Sequence, residues 1–305
     1  MIIIGIDENG LGPVLGPMVV TACAFRAKRY DEAHFWKLCD ESLPADDSKI
    51  IFKRNKESFA ETAVLRWLSV FSHFPNNATE LFNTLCESTP RPCPEAFPEV
   101  CRPHNQNAIP AFGGEAPRQL SLNLWNRFDH LSITPLQTRA FLLCPGEFNA
   151  HFSSSDVNKL QLDFNLMMQL IQLFQRERTD DDEEIWAVCG KVGGAQKYLP
   201  WFHALNITDC DIIEEHRDVS TYRLPDNTTV SFIKDGDSAH LPVAVASMVG
   251  KYLRELSIQE TNRLLAPNQP PVSGYRDVRT KAFIEATAAS RTARNLPDRC
   301  FLRIC

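Results

Sequence analysis

The sequence lacks an excess of basic residues, a membrane-length apolar run and a secretory leader. Its 305 residues include 32 Lys and Arg against 38 Asp and Glu, which gives a net charge of -6 at pH 7. No overall positive field would therefore attract a nucleic acid, and any nucleic-acid surface must be a local patch. No apolar run is long enough to span a bilayer, and no basic stretch followed by an apolar segment opens the chain. We therefore expect a soluble cytoplasmic protein.

Cysteine is present, but not at the density of a disulfide scaffold. The ten cysteines are scattered along the chain, which favours mostly reduced thiols. Cys86, Cys93 and Cys101 lie with His104 in a proline-rich stretch, and these four side chains could bind zinc. Their spacing lacks a Cys-x-x-Cys knuckle, so thiols without a metal are the favoured interpretation.

Glycine-rich nucleotide-binding motifs are absent as well. The segment from Gly5 to Gly12 lacks the Gly-x-Gly-x-x-Gly pattern, and no Lys-Ser/Thr follows as in a P-loop. A nucleotide-binding fold of either kind is therefore disfavoured. The 44% content of hydrophobic residues still indicates a chain that can bury a full core.

The strongest pattern that is present lies in the first 25 residues. Residues 2–6 form a β-branched apolar run that predicts a buried strand, and this run ends at Asp7 and Glu8. A glycine-rich turn follows at residues 9–13, and residues 17–25 predict the returning strand of a hairpin. Carboxylates at the end of a buried strand are costly unless they are paired, hydrogen-bonded or hold a metal. A solvated strand end is the alternative.

This opening resembles that of type 2 ribonucleases H, the ribonuclease HII family, which reads Asp-Glu-Ala-Gly-Arg-Gly-Pro. Here Leu11 stands where the family carries Arg. In that family the Gly-Arg-Gly segment contacts the ribose 2′-hydroxyl of the target nucleotide. The resemblance therefore implies substrate binding by Gly10, Leu11 and Gly12, and it implies catalysis and metal binding by Asp7 and Glu8.

Further blocks resemble the family in the same order along the chain. Asp47-Ser48-Lys49 matches its Asp-Ser-Lys, which implies that Lys49 faces a substrate phosphate. An ordinary solvated helix start is the alternative for this lysine. Near the other end of the chain, Ser273-Gly274-Tyr275 matches a segment whose Tyr stacks on a sugar at the RNA–DNA junction. A half-buried loop tyrosine is the alternative for Tyr275.

The remaining metal ligands of the family are matched only in part. Asp237 best matches the last metal-binding Asp, and Asp235 is a possible substitute. In the register set by Gly193 and Tyr198, Gly190 occupies the position of the third metal-binding Asp. A shift by one residue would place Cys189 there, so neither register supplies a carboxylate. Other acids that could compensate do not sit at matching positions: Asp163, Asp209 and Asp211.

The resemblance implies an α/β fold, a ribonuclease H-like mixed sheet flanked by helices, with a helical C-terminal segment. We expect residues 1–255 to form the catalytic domain, with a largely loop-like insertion at about 74–130. Residues 256–305 are expected to form a C-terminal helical segment that covers the substrate. Basic residues of that segment could face the nucleic-acid backbone or could be solvated surface charges: Arg276, Arg279, Lys281, Arg291 and Arg294.

Two functions follow as hypotheses. The first is an endonuclease that depends on Mg2+ or Mn2+ and hydrolyses the RNA strand of RNA–DNA hybrids, or ribonucleotides embedded in DNA, leaving 5′-phosphates. The retained Asp7, Glu8, Asp237, Lys49 and Tyr275 favour it. The second is a catalytically weakened or inactive relative that binds nucleic acid or a protein. The missing third Asp and the missing Arg favour the second.

Overall fold

The computed structural model describes residues 1–53, 56–89, 93, 98–116, 119–152, 157–180 and 182–304. Within these residues it contains seven strands and twelve α-helices. The strands are β1 (Ile2–Asn9), β2 (Met18–Ala27), β3 (Ile133–Leu143), β4 (Ile185–Gly190), β5 (Asp211–Glu215), β6 (Val219–Arg223) and β7 (Thr228–Ile233). The helices are α1 (Glu32–Trp36), α2 (Ser48–Ile51), α3 (Glu57–Val70), α4 (Ala78–Leu85), α5 (Leu122–Leu131), α6 (Pro145–Phe152), α7 (Lys159–Gln175), α8 (Leu199–Ala204), α9 (Gly236–Ala239), α10 (Leu241–Leu265), α11 (Val278–Ala286) and α12 (Ala288–Ala293).

The strands form one mixed sheet in the order β3-β2-β1-β4-β7-β6-β5. The central strands β1, β4 and β7 run parallel, and the outer pairs are antiparallel. Helices cover both faces. The first core, which includes Phe25, Trp67 and Tyr252, lies on the face of α3 and α10. The second core, which includes Phe164 and Phe232, lies on the face of α7 and α8. The expected mixed sheet flanked by helices is thus confirmed.

Strand β1 is buried on both faces because its side chains alternate between the two cores. Ile3 points to the first core, whereas Ile4 and Ile6 point to the second. At Gly5 the backbone of α10 lies directly against the strand. A Cβ atom there would stand 2.0 Å from the carbonyl carbon of Pro242, so only glycine permits this approach.

Helix α10 carries the chain beyond the sheet. It runs without interruption over Leu241–Leu265. Residue 255, the expected end of the catalytic domain, therefore lies inside a continuous helix. Helices α11 and α12 follow, as expected for a helical C-terminal segment. They pack on a third core that includes Leu15, Phe283 and Phe301.

Three local features of the fold go beyond what the sequence indicated or differ from it. The stretch 74–130 is not largely loop at its ends, because α4 and α5 form there on amphipathic patterns. Near the end of the described chain, Leu302 makes an isolated bridge to Leu15. The hairpin of β5 and β6 was not predicted, because its strands are short and partly exposed.

None of the helices in the described ranges combines the length and the hydropathy needed to cross a bilayer.

Glu61 of α3 ties the inserted stretch to helix α10. Its side chain is fully buried, and its carboxylate accepts hydrogen bonds from the N–H groups of Phe112 and Gly114, each at 2.8 Å. The hydroxyl of Tyr252 on α10 donates to the same carboxylate at 2.7 Å. One acid thus satisfies the polar groups of a loop and a helix that are far apart in sequence.

We expect Glu61→Gln to lower the free energy of unfolding by about 2–4 kcal/mol, because an amide replaces a buried acceptor bound by several donors. Urea unfolding followed by circular dichroism would measure the change. Glu57→Gln, at an exposed position of the same helix, is the matched control and should change the stability by less than about 0.5 kcal/mol. Equal effects of the two variants would contradict this account.

Candidate active site

A cavity of about 580 Å³ opens at the carboxyl ends of β1, β4 and β7. In parallel sheets this edge is where ligands usually bind. Every site residue that the sequence indicated lies on the wall of this cavity: Asp7, Glu8, Gly10, Leu11, Gly12, Lys49, Gly190, Asp235, Asp237 and Tyr275. Segments that are separated along the chain thus meet at one place.

Asp7 and Glu8 end strand β1 and are both half-buried. Burial raises the pKa of Asp7 well above its usual range, the charge of Glu8 adds to this rise, and a hydrogen bond with Ser247 opposes it. Burial likewise raises the pKa of Glu8, and the charge of Asp163 adds to it. The two acids alternate in direction along the strand, so Asp7 lies on the side of α10 and Glu8 on the side of α7.

Asp237 reaches the cavity from α9, the short helix after β7. Burial raises its pKa, and the neighbouring Asp47 contributes through its charge and a side-chain hydrogen bond. Asp47 itself caps α2 by accepting from the Lys49 N–H at 2.7 Å. The sequence indicated Asp47 only as part of a motif, without a role of its own.

Lys49 lies within the field of these acids. Partial burial lowers the pKa of its ammonium, but the charges of Asp47, Asp237 and Asp7 outweigh this, and the net shift is upward. Asp235, the possible substitute, adopts a left-handed backbone at φ 51. Its side chain is 73% exposed and lies 3.7 Å from the Lys234 ammonium. Asp235 is therefore the more solvated of the two acids of this segment.

Gly190 lies directly against the two carboxylates of β1. Strands β1 and β4 pair in register with Ile6 opposite Cys189, so the next residue of each strand is Asp7 and Gly190. A Cβ atom at Gly190 would stand 2.6 Å from Asp7 Oδ1 and 3.5 Å from Glu8 Oε2. The Cys189 side chain instead belongs to the second core.

Asp163 is an acid beside this site to which sequence analysis gave no matching position. It is fully buried on α7, and neither of its carboxylate oxygens has a hydrogen-bond partner among the described residues. Burial raises its pKa well above the usual range, and the charge of Asp7 adds to the rise. A signal was available: Asp163 precedes Met167 and Leu170 at helical spacing and so falls on the apolar face of the helix.

The glycine-rich turn after β1 is held from outside the sheet. Gly10 has a φ of +87 and approaches the Arg254 side chain so closely that a Cβ would lie 2.7 Å from its Nε. The guanidinium of Arg303 donates to the carbonyl oxygens of Gly10 and Leu11. The Leu11 side chain packs against the second core. Leu11 thus has an apolar role, and arginines from distant segments bind the turn.

Arg254 also positions Tyr275. It is almost completely buried and donates to the carbonyl oxygens of Leu15 and Ser273. Its guanidinium carbon lies 5.6 Å from the centre of the Tyr275 ring, within the range of a cation–π contact. The ring remains 47% exposed, so one of its faces is available for stacking. The sequence gave no indication of Arg254.

Basic side chains stand around the acidic centre. Lys191 does not reach towards Gly190; its ammonium donates to the His216 carbonyl at 3.0 Å and to Ser220. Of the C-terminal arginines, Arg291 is buried against Phe301 and so has a structural role. The cationic residues on the cavity wall are Lys49, Lys191, Arg217, Lys234 and Lys251.

The acids suit a hard divalent cation in composition. Mg2+ and Mn2+ prefer carboxylate oxygens, and Asp7, Glu8 and Asp237 converge with raised pKa values that a cation would lower. As they stand, no group of three or more His, Cys, Asp or Glu side chains in the described residues is arranged to hold a metal ion. Carboxylates without a counter-charge repel one another, and rotation of their side chains would be needed to close the site.

Known proteins match short segments of this chain. No protein-family model matches the chain. A 59-residue segment is 49% identical to ribonuclease HII of Methanocaldococcus jannaschii, and it covers 19% of this chain and 22% of the relative. A 56-residue segment is 45% identical to ribonuclease HII of Methanococcus maripaludis, with 18% and 20% covered. The matches thus span about a fifth of each relative.

The fold has a solved counterpart. A crystal structure of a point mutant of Bst-RNase HIII superposes with a TM-score of 0.50 and 17% identity, over 99% of this chain and 65% of that one. The chain therefore resembles type 2 ribonucleases H in a local sequence segment and has a ribonuclease H-like fold.

The unpartnered Asp163 predicts a pH-dependent stability. Because its folded-state pKa is raised, the folded protein holds this proton to a higher pH than the unfolded chain, and stability is lost as the pH rises. Asp163→Asn removes the ionisation. In EDTA, we expect the free energy of unfolding of the variant to rise relative to that of the wild type, by about 1–3 kcal/mol between pH 5 and pH 8. Urea unfolding at several pH values measures this gain.

Asp209→Asn, at an exposed position, serves as the control and should leave the difference from wild type independent of pH. An Asp163→Asn difference that stays constant between pH 5 and pH 8 would show that Asp163 does not ionise in this range.

Proposed function

We propose that this chain, similar to ribonuclease HII over a 59-residue segment, is a metal-dependent endonuclease. Its proposed substrate is the RNA strand of RNA–DNA hybrids, or ribonucleotides embedded in DNA, with 5′-phosphate products. The observation that carries the proposal is the convergence of Asp7, Glu8, Asp237, Lys49 and Tyr275 on one cavity. We take the cytoplasm as the proposed location and residues 1–255 as the proposed catalytic domain.

Asp7, Glu8 and Asp237 are the proposed ligands of Mg2+ or Mn2+. Bound metal of this kind lowers the pKa of a water nucleophile and stabilises the leaving oxygen. The protein contributes the placement of the acids: the end of β1 fixes two of them, and α9 brings the third. Ser247 of α10 lies beside Asp7 and lowers its pKa, which favours the charged form that a metal ligand needs.

The turn and the aromatic ring are the proposed substrate contacts. Gly10, Leu11 and Gly12 present backbone groups to a ribose 2′-hydroxyl, the group that distinguishes RNA from DNA. Tyr275 offers an exposed face for stacking on a sugar. Lys49 and the other cations of the cavity wall balance the charge of the phosphates. This local patch of cations would attract phosphates although the chain as a whole carries a net negative charge.

The absent acid at Gly190 supports the second candidate, a binding protein without catalysis. With three ligands in place of four, one cation would be held weakly. Asp163 is the described acid best placed to compensate, since its charge already acts on Glu8 and its oxygens have no partner among the described residues. A role of Asp163 in metal binding would therefore favour the enzyme.

We expect the protein to cleave a labelled DNA duplex that carries one or several ribonucleotides, in Mg2+ or in Mn2+. Asp7→Asn should reduce the rate at least about a hundredfold, because it removes a charged ligand at the reacting phosphate. Gel analysis of end-labelled strands gives the rate and the position of the cut.

Asp129→Asn, at an exposed position of α5 outside the cavity, is the control and should keep the wild-type rate. No cleavage in either metal by a folded wild-type protein would overturn the enzyme proposal. Binding of the same duplex by that inactive protein would then establish the second candidate.

Restoring the acid should strengthen metal binding. Gly190→Asp adds a carboxylate next to Asp7 and Glu8, and the flexible end of Asp7 must shift to admit it. We expect the affinity for Mn2+ to rise about tenfold, measured by titration calorimetry or by the loss of the free Mn2+ electron-paramagnetic signal. Gly190→Asn, similar in size but neutral, is the matched control. Equal affinities of the two variants would place the metal away from residue 190.

A further inference from the structure

Four cysteines from separate parts of the chain meet in the third core. Cys93 and Cys101 come from the inserted stretch, Cys144 follows β3, and Cys300 lies near the end of the chain. All four are buried, and none forms a disulfide. In the sequence Cys86 and His104 stand nearest to the first two, whereas in the fold Cys144 and Cys300 lie beside them.

The thiols lie in contact with one another. The Cys144 thiol is within hydrogen-bonding contact of the thiols of Cys93 and Cys101, and the Cys300 thiol is within contact of that of Cys93. Each cysteine thus touches at least one other, and the four form a connected group. In a tetrahedral zinc site with Zn–S bonds of about 2.3 Å, neighbouring sulfurs lie about 3.8 Å apart. A connected group of thiols is what such a four-sulfur site requires.

The backbone beside the group is shaped for sulfur. A Cβ atom at Gly146 would lie 3.1 Å from Cys300 Sγ and 3.2 Å from Cys93 Sγ, so glycine leaves the sulfurs their room. The Glu147 N–H donates to Cys144 Sγ at 3.4 Å, a contact that stabilises negative charge on sulfur. The Glu147 carboxylate is occupied by the Thr89 hydroxyl and the Cys144 N–H.

A small cavity adjoins the thiols. It measures about 30 Å³, and its wall includes Cys101, Cys144 and Cys300. A space of this size holds one water molecule or one ion. As they stand, no three or more His, Cys, Asp or Glu side chains of the described residues are arranged to hold a metal ion, so zinc binding would require the cysteine side chains to rotate towards this space.

We propose that Cys93, Cys101, Cys144 and Cys300 bind a structural zinc ion as a four-thiolate site. Binding releases the thiol protons to solvent, and four sulfurs complete the tetrahedral coordination of Zn2+ without an open position. The site is separate from the carboxylate cavity in its residues and in its ligand chemistry. The zinc proposal can therefore be tested independently of the proposed nuclease activity.

Such an ion would tie three regions to each other. It would join the inserted stretch, the end of β3 and the segment that carries Phe301 and Arg303. Arg303 donates to the carbonyl oxygens of Gly10 and Leu11, so the zinc would support the glycine-rich turn from behind. It would also compensate for the lack of a long strand or helix in residues 294–304.

The test is the zinc content of the full chain purified without chelator. We expect about one zinc per chain by mass spectrometry of the elements, released by a mercurial that binds thiols. Cys144→Ser should lower the zinc content at least about tenfold. Cys210→Ser, at a half-buried cysteine outside the group, is the control and should keep the wild-type content.

Cobalt substitution tests the site in the wild-type chain, so its result does not depend on whether Cys144→Ser folds. We expect the strong visible absorption of tetrahedral, thiolate-bound Co2+, and its loss when Zn2+ is added. A wild-type protein without zinc that gives no such absorption would overturn the proposal. So would two disulfides among the four cysteines in the freshly purified, alkylated protein.

Discussion

The parallel pairing of β1 with β4 is the constraint on which the rest of the structure depends. The register of this pair places Asp7 next to Gly190 at one edge of the sheet. Because β7 pairs with β4, Asp237, which follows β7 in the sequence, lies near the same edge. Parallel strands need crossover connections, so the pieces of the site are separated in sequence. Their convergence is therefore a property of the sheet, and the loops only complete it.

The same pairing concentrates negative charge where water is scarce. Asp7, Glu8 and Asp163 all have raised pKa values for which burial is the main cause. Groups of this kind destabilise a fold unless a counter-charge arrives, and such costs are typical of functional sites. Asp163 is the clearest case, because neither of its carboxylate oxygens has a hydrogen-bond partner among the described residues.

Much of the fold and of the candidate site could be predicted from the sequence, because the relevant signals are local. The strand that ends in Asp7 and Glu8, the segment around Asp237 and the loop of Tyr275 each carry their pattern within a few residues. Asp163, Arg254 and the cysteine group could not be assigned in this way. Their significance depends on neighbours that are distant along the chain, which no local pattern reports.

The contact of Arg303 with the turn at Gly10 has a consequence for how the protein is made. These residues are separated by 293 positions, so the turn cannot gain this support until nearly all of the described chain has left the ribosome. Long-range contacts of this kind slow folding. The sheet can form earlier with a loosely held turn, and the geometry of the turn at Gly10 and Leu11 would be set last.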